Sequence, residues 1–186
     1  HDTRCQDIDG PRVKRCQYGV VTGAAAVAAE ALLMVTADNG TTWTNSATDP
    51  FAVGEDIGAA IYVQLDEDTR RIVVGRSTTD VAAPAEVAYS DDDGATWTLA
   101  DVGATNGEFI TAMDAVDFYH IWAVTDLGYI YFSDDGGVTW TAQESGTITA
   151  VDYLDIRMLN AQYGIAVGEA NEVAFTSNGG NTWSAV

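Results

Sequence analysis

The octet Ser133-Asp-Asp135-Gly-Gly137-Val-Thr-Trp140 decides the fold, because the chain repeats its pattern three more times. Every copy obeys Ser/Thr-x-Asp/Asn-x-Gly-x-Thr-Trp, and the four tryptophans stand 54, 43 and 43 residues apart. A regular period of this length indicates a repeat architecture. The defining positions are Thr36, Asp38, Gly40 and Trp43; Ser90, Asp92, Gly94 and Trp97; Ser133, Asp135, Gly137 and Trp140; and Thr176, Asn178, Gly180 and Trp183.

Each octet has the composition of a tight turn between two strands. The Asp or Asn side-chain oxygen can accept hydrogen bonds from backbone N–H groups of the turn. The glycine tolerates a positive φ that other residues resist. The tryptophan opens the next strand and offers a large apolar surface for packing between sheets. Each of these three residue types therefore has a structural function in the motif.

Alternating apolar segments predict the strands around these turns. One strand leads directly into each octet, as in Tyr129–Ser133, and another comes before it, as in His120–Thr125. A further strand is expected over 110–116 in the third repeat and over 148–153 in the fourth. Four strands in about 43 residues make one propeller blade. We therefore predict an all-β propeller of four-stranded antiparallel blades, four of them over 18–186, after a Cys-containing basic segment at 1–17.

The segment Gly23–Val35 is rich in alanine and has the propensity of a helix. The first repeat, aligned from Tyr18 to Trp43, is five residues longer than the fourth, aligned from Tyr163 to Trp183. We therefore predict a lengthened hairpin between two strands, with a short helical insertion as the alternative.

The octets resemble the Asp-box, or BNR, repeat of sialidases, sortilin-type receptors, family 74 xyloglucanases and photosystem II assembly and stability factors. The resemblance covers 18–186, and the strand Gly164–Gly168 before the last box makes the photosystem-factor pattern the most similar. It implies a propeller but no single activity, because unrelated functions share this fold. Family propellers usually close with six or more blades. Four boxes therefore predict either a compact ring or an open half completed by more chain or another subunit.

The charge is strongly acidic, with 28 Asp and Glu against 8 Lys and Arg and a formal net charge of -20. Nucleic acid is excluded as a partner by this composition, because phosphate binding needs a basic face. No apolar run approaches the ~20 residues that span a bilayer. The chain begins at His1 without a leader, so we expect a processed product or part of a longer polypeptide.

Cys5 and Cys16 bracket a turn at Gly10-Pro11, and a disulfide between them would fit an oxidising compartment. The rival metal site lacks the paired cysteine spacing of structural zinc. The same segment contains half of the basic residues, which predicts docking onto the acidic body of another subunit or an ordinary solvated tail. These basic residues are Arg4, Arg12, Lys14 and Arg15.

Acidic clusters raise the hypothesis of a bound calcium ion, since calcium prefers several carboxylate and carbonyl oxygens. The clusters are Asp66–Asp68, Asp91–Asp93 and Asp134-Asp135. The last two lie within Asp-box turns, where the side chain already has a backbone partner. We therefore expect no cofactor, with calcium as the alternative.

An enzymatic function finds little support in the sequence. The arginines Arg70, Arg71, Arg76 and Arg157 form no sialidase-like motif ahead of the first box. Neither His1 nor His120 lies in a recognisable nucleophile motif. A glycosidase needs two carboxylates flanking a cleft. Asp114, Asp117, Asp152 and Asp155 are instead expected at equivalent positions of two repeats.

We therefore predict a non-enzymatic, extracellular (secreted) or virion-associated propeller that acts through assembly or surface recognition. The expected partner is a protein, a second copy or a glycan, bound by a face lined by Tyr119, Trp122 and Tyr153. The alternatives are a propeller that binds or cleaves glycans and an assembly chaperone of the photosystem-factor type.

Overall fold

A computed structural model describes residues 18–23, 32–51, 55–66, 68–77, 84–143 and 152–186. Within these ranges the chain is built of antiparallel β-strands, with a single 3-10 turn at Glu169–Asn171. The strand at Ile121–Thr125 is buried along its whole length, which is the pattern of a strand covered on both faces by neighbouring sheets. None of the described residues forms a helix that is long and apolar enough to cross a membrane.

The described strands form four sheets that follow one another along the chain. Blade 1 contains β1 (Gly19–Gly23), β2 (Leu32–Thr36) and β3 (Thr44–Asn45). Blade 2 contains β4 (Asp56–Gln64), β5 (Arg70–Ser77), β6 (Pro84–Ser90) and β7 (Thr98–Asn106). Blade 3 contains β8 (Ile110–Ala115), β9 (Ile121–Thr125), β10 (Ile130–Ser133) and β11 (Thr141–Ala142). Blade 4 contains β12 (Tyr153–Met158), β13 (Gly164–Gly168), β14 (Val173–Thr176) and β15 (Ser184–Ala185).

Each Asp-box connects the last two strands of its blade, as the sequence predicts. In blade 1 these strands are β2 and β3, so its described strands match the second, third and fourth strands of the other blades. The innermost strands β4, β8 and β12 of blades 2 to 4 lie side by side. Among the described strands, blade 4 and blade 1 share no more than marginal contact. The described blades therefore form an arc that is open between blade 4 and blade 1.

Two faces of each blade take part in the packing. We call the face that carries the Asp-box tryptophan the front face and the opposite one the back face. Trp97 packs in the cluster between blades 1 and 2, Trp140 between blades 2 and 3, and Trp183 between blades 3 and 4. The hydrophobic core is thus three successive interfaces, each between the back face of one blade and the front face of the next.

The two strands that flank the Ala-rich segment of the first repeat pair with each other. β1 pairs antiparallel with β2, from Gly19 opposite Thr36 to Gly23 opposite Leu32. Residues 24–31, where the helical insertion was the alternative, lie outside the described residues.

The strand expected over 148–153 overlaps the described first strand of blade 4 only at Tyr153. The first strand of blade 4 is β12, which begins at Tyr153 and pairs with β13 up to Met158 opposite Gly164. Residues 148–151 lie outside the described residues. Both segments alternate polar and apolar residues, and only the pairing with β13 distinguishes them.

Candidate functional site

The first hydroxyl of every Asp-box holds the turn from inside. In box 3 the Ser133 Oγ accepts a hydrogen bond from the Gly137 N–H at 2.8 Å and donates one to Asp135 Oδ1 at 2.8 Å. The same two bonds recur in the other three boxes, with the hydroxyls of Thr36, Ser90 and Thr176. These hydroxyls are buried, so the bonds satisfy groups that would otherwise be costly to bury.

The Asp or Asn at the third box position closes the turn from outside. Asp92 Oδ1 accepts the Thr96 N–H at 2.8 Å, and its Oδ2 accepts the Thr96 hydroxyl at 2.6 Å. Asn178 reproduces this geometry with an amide, because its Nδ2 donates to the Thr182 hydroxyl at 2.9 Å. The predicted acceptor function of this position is therefore present in all four turns.

Positive φ angles occupy two positions of each turn, one more than the motif predicts from its glycine alone. The fifth-position glycines have φ between 77° and 88°, as predicted. The fourth position also lies in the left-handed region, at Asn39 (61°), Asp93 (59°), Gly136 (76°) and Gly179 (73°). Asn, Asp and Gly are the residues that tolerate this region. The residue types at the fourth position therefore indicate this conformation in the sequence itself.

Hydrogen bonds lower the pKa of the three box aspartates. For Asp38 and Asp92 the largest cause is the threonine hydroxyl bond, from Thr42 and Thr96. For Asp135, burial raises the pKa, but the bonds from Thr139 and Ser133 together lower it further. A carboxyl with a lowered folded-state pKa stabilises the fold above its unfolded pKa of about 3.9, and this contribution is lost as pH falls through the folded pKa.

Box 4 supplies the matched control for acid sensitivity. We expect the triple variant Asp38→Asn, Asp92→Asn, Asp135→Asn, which copies Asn178, to retain most of the turn geometry at pH 7. Below about pH 4 the wild type should lose stability more steeply than this variant, because only the wild type must protonate these carboxylates. Urea unfolding at pH 7 and pH 3 checks this, and parallel losses in the two proteins would contradict it.

In two of the three blade interfaces, a polar residue three positions after a box tryptophan forms hydrogen bonds to the next blade. Ser46 of blade 1 donates to the Gly94 carbonyl at 2.7 Å and accepts from the Trp97 indole N–H at 3.3 Å. Gln143 of blade 3 donates to the Gly179 carbonyl and accepts from the Trp183 indole N–H, both at 3.0 Å. These bonds fix each box against the preceding blade.

Arg71 makes the corresponding link between blades 2 and 3. Its guanidinium pairs with both oxygens of Asp91, at 2.7 and 2.9 Å, and donates to the Gly136 carbonyl of box 3 at 2.9 Å. It also lies over the rings of Tyr89 and Phe118. The arginine therefore contributes to the packing of blade 2 against blade 3.

In the acidic cluster Asp91–Asp93, proposed for calcium, every side chain has a protein partner. Asp91 pairs with Arg71, Asp93 pairs with Arg70, and Asp92 bonds within its own turn. Among the described residues, no group of three or more Asp, Glu, His or Cys side chains has an arrangement that could hold a metal ion. Calcium remains an untested prediction, for which calcium-dependent melting is the measurement.

The sequence predicts that Asp114, Asp117, Asp152 and Asp155 occupy equivalent positions of two repeats. The strand pairing shows that they do not. In blade 3, Asp114 lies opposite Trp122, and the equivalent residue of blade 4 is Arg157, which lies opposite Ile165. Asp155 lies elsewhere on the strand, opposite Val167. The shift follows from the later start of β12.

Two of these aspartates have structural partners. Asp114 is buried and accepts the Met158 N–H at 2.6 Å. Asp117 accepts the Tyr119 and His120 N–H groups at the turn before β9.

Two of the three aromatic residues expected to line a partner-binding face are not accessible to a partner. Trp122 and Tyr153 are buried in the interface between blades 3 and 4, and Tyr119 alone of the three is exposed. The expectation was wrong because the sequence alone did not show which aromatic positions a neighbouring blade covers.

The back face of blade 4 is the candidate functional site. Its central cross-strand pair, Ile165 opposite Phe175, is 43% and 45% exposed. The matching pair in blade 3, Trp122 opposite Phe132, packs in the interface with blade 4, and Trp122 is 1% exposed. The back-face pairs of blades 1 and 2 likewise pack against the next blade: Val20 with Val35 and Val73 with Tyr89.

A shallow groove of about 570 Å³ crosses this face. Leu159, at the end of β12, is 82% exposed beside it, and Tyr163 is half exposed at the position that Arg71 takes in blade 2. Arg157 supplies one positive charge, 3.6 Å from the Asp155 carboxylate. The lining residues are Arg157, Met158, Leu159, Tyr163, Gly164, Ile165, Phe175 and Thr176.

The N-terminal predictions cannot be placed on this framework. Cys5, Cys16 and the basic residues of 1–17 lie outside the described residues. The disulfide and the docking of the basic segment therefore remain predictions.

Comparison with protein families matches the BNR/Asp-box repeat at residues 88–99 and 131–142. These ranges contain the second and third boxes with the ends of the strands that precede them. No curated protein matches the sequence.

Solved propellers share the fold at low sequence identity. YCF48 bound to a D1 peptide aligns with a TM-score of 0.60 and 18% identity, over 92% of this chain and 50% of that one. The GH74 enzyme of Niastella koreensis aligns with a TM-score of 0.62 and 17% identity, over 91% of this chain and 27% of that one. A Trypanosoma rangeli sialidase mutant displaying trans-sialidase activity aligns with a TM-score of 0.52 and 13% identity, over 91% and 35%.

The chain thus spans about half the length of YCF48 and a smaller share of the two enzymes. Identities below 20% establish a common architecture and no common activity. With its repeated turns, its antiparallel blades and these neighbours, the chain has a β-propeller fold and carries BNR/Asp-box repeats at 88–99 and 131–142.

Proposed function

We propose that this chain is a non-enzymatic interaction module that binds a protein partner through the back face of blade 4. The observation that carries the proposal is the exposure of Ile165 and Phe175, at positions that are covered by the next blade elsewhere in the molecule. Contiguous exposed apolar surface rimmed by polar residues is typical of protein-binding sites. Arg157 and Tyr163 supply such a rim, and Tyr and Arg are enriched in interfaces.

The non-enzymatic part of the proposal rests on how the acidic side chains are used. The box aspartates bond within their turns, and Asp114 bonds to β12. Buried Glu108 accepts the Tyr131 hydroxyl at 3.2 Å. Side chains committed to such bonds are poor general acids or bases, because moving their protons would break the structure they hold.

The extracellular or virion location is part of the same proposal. A net charge of -20 suits a protein that stays dispersed in a salt-containing medium. The predicted Cys5–Cys16 disulfide, once measured, would add support for an oxidising compartment.

The structural neighbours supply precedents for a protein ligand and for a carbohydrate substrate. YCF48 was solved with a D1 peptide, whereas the GH74 and sialidase neighbours are enzymes. We favour a protein ligand because the exposed groove is apolar. A glycan-binding or glycan-cleaving propeller and an assembly chaperone like the photosystem factors remain the alternatives.

A displayed library of random 12-residue peptides, selected on the immobilised chain, tests the proposal. We expect enrichment of peptides rich in aromatic and aliphatic residues. Their affinity should fall at least about tenfold for the double variant Ile165→Asp, Phe175→Asp, because the charges must be desolvated in an apolar contact. Leu99→Asp, which changes a similarly exposed leucine on β7 of blade 2, is the control and should bind like the wild type.

Peptides that bind the double variant and the wild type equally would contradict the site. Release of reducing ends from xyloglucan, or of sialic acid from a sialoside, would contradict the non-enzymatic proposal. Both assays use the same purified protein as the selection.

A further inference from the structure

The front face of blade 1 complements the back face of blade 4. Val21 lies opposite Met34 in the β1–β2 pair, and Trp43 stands on the same face. All three are only partly buried. This is the surface that blades 2 to 4 each present to the preceding blade.

The corresponding residues of the other blades are buried. Val74 opposite Ala88, Ala123 opposite Tyr131 and Ala166 opposite Ala174 hold the same register positions as Val21 opposite Met34. None of these six is more than 3% exposed. Within the described residues, the back face of blade 4 and the front face of blade 1 are therefore uncovered. They are the two halves of a contact that the described blades make three times.

We propose that a second copy of this chain covers the back face of blade 4 with the front face of its own blade 1. The occupant follows from continuity, since the contact repeats the interfaces between blades 1 and 2, 2 and 3, and 3 and 4. Trp43 of the second copy would lie against Ile165 and Phe175, as Trp183 lies in one cluster with Trp122 and Phe132. This inference rests on the proposed function and names its partner.

Two copies joined in this way close into a ring. Each copy contributes one uncovered back face and one uncovered front face, so a two-fold arrangement covers both faces of each copy. The ring has eight blades, which is within the four to eight of known propellers. It is also comparable in size to YCF48, of which this chain covers 50%.

The charge of the chain predicts an unusual salt dependence. Each copy carries -20, so the copies repel one another at low ionic strength. The contact itself is mainly apolar and does not weaken when charges are screened. Association should therefore tighten as the salt concentration rises. Docking of a basic N-terminal segment on an acidic surface would instead weaken as the salt concentration rises.

Sedimentation velocity of the full chain at 1 to 100 µM tests the proposal, in 20 mM and 500 mM sodium chloride. We expect a monomer–dimer equilibrium that shifts toward dimer at the higher salt. Ile165→Asp with Phe175→Asp, and separately Met34→Asp, should raise the dissociation constant at least about 30-fold. Leu99→Asp should not change it, and circular dichroism confirms that each variant is folded.

A monomer at 100 µM in both salts would overturn the second copy as the partner. A dimer that both face variants leave unchanged would do the same. If the wild type is monomeric but selected peptides still lose affinity for the Ile165→Asp, Phe175→Asp variant, the proposed function stands without this partner. If the peptides bind elsewhere as well, both fail.

Discussion

Replacing Trp183 with alanine should lower the free energy of unfolding by about 3 to 5 kcal/mol. Trp183 is 1% exposed and lies in the cluster between blades 3 and 4, with its indole N–H bonded to Gln143 Oε1 at 3.0 Å. Alanine removes the apolar contact and leaves a cavity between two sheets. It also leaves the Gln143 side-chain oxygen without the indole donor. Urea unfolding monitored by circular dichroism measures the loss.

Trp43→Ala is the matched control, because Trp43 holds the same position in box 1. Its indole N–H bonds to the Gly40 carbonyl of its own turn at 3.1 Å, and its ring is only partly buried. In dilute protein the cost should be less than half of that at Trp183. Equal losses would contradict the assignment of Trp183 to a covered face and Trp43 to an open one.

Replacing Arg71 with methionine should destabilise the protein by about 2 to 3 kcal/mol, because hydrogen bonds to a charged group are lost. Methionine keeps most of the apolar stem but removes the paired bonds to Asp91 and the bond to the Gly136 carbonyl of blade 3. The Arg71 side chain is 11% exposed, so water replaces these bonds poorly. Urea unfolding again provides the measurement.

Arg71→Lys distinguishes the shape of the guanidinium from its charge. Lysine keeps the charge but not the planar fork that binds Asp91 and the neighbouring carbonyl together. We expect Lys to recover less than half of the stability lost in the Arg71→Met variant. Full recovery would mean that a simple ion pair, and not the link between blades, carries the effect.

The sequence was sufficient for the turns because their chemistry is local. A hydroxyl, a carboxylate or amide and a glycine within eight residues determine the box, so all four turns follow from the motif. Blade order follows as well, since each box connects the last two strands of its sheet.

The strand register in blade 4 could not be predicted from the sequence. Residues 148–153 and Tyr153–Met158 both have an alternating pattern, and a shift between them changes which aspartates are equivalent. Pairing with β13 decides the register, and such pairing depends on residues distant in sequence.

The candidate site could not be predicted from the sequence either, for a different reason. Ile165 and Phe175 are as apolar as Trp122 and Phe132, and their strands have the same pattern. Their exposure depends on whether another blade follows, which no local signal encodes. The aromatic residues chosen from the sequence, Trp122 and Tyr153, are buried for the same reason.

Photo-crosslinking from Phe175 tests most directly whether the back face of blade 4 is an assembly surface. The chain carries benzoylphenylalanine at 175 and is mixed with a ¹⁵N-labelled wild-type copy before irradiation, so that mass spectrometry separates links between copies from links within one. We predict links to labelled peptides containing Met34 or Trp43. Links confined to the same copy, or to labelled peptides outside the front face of blade 1, would contradict the head-to-tail assembly.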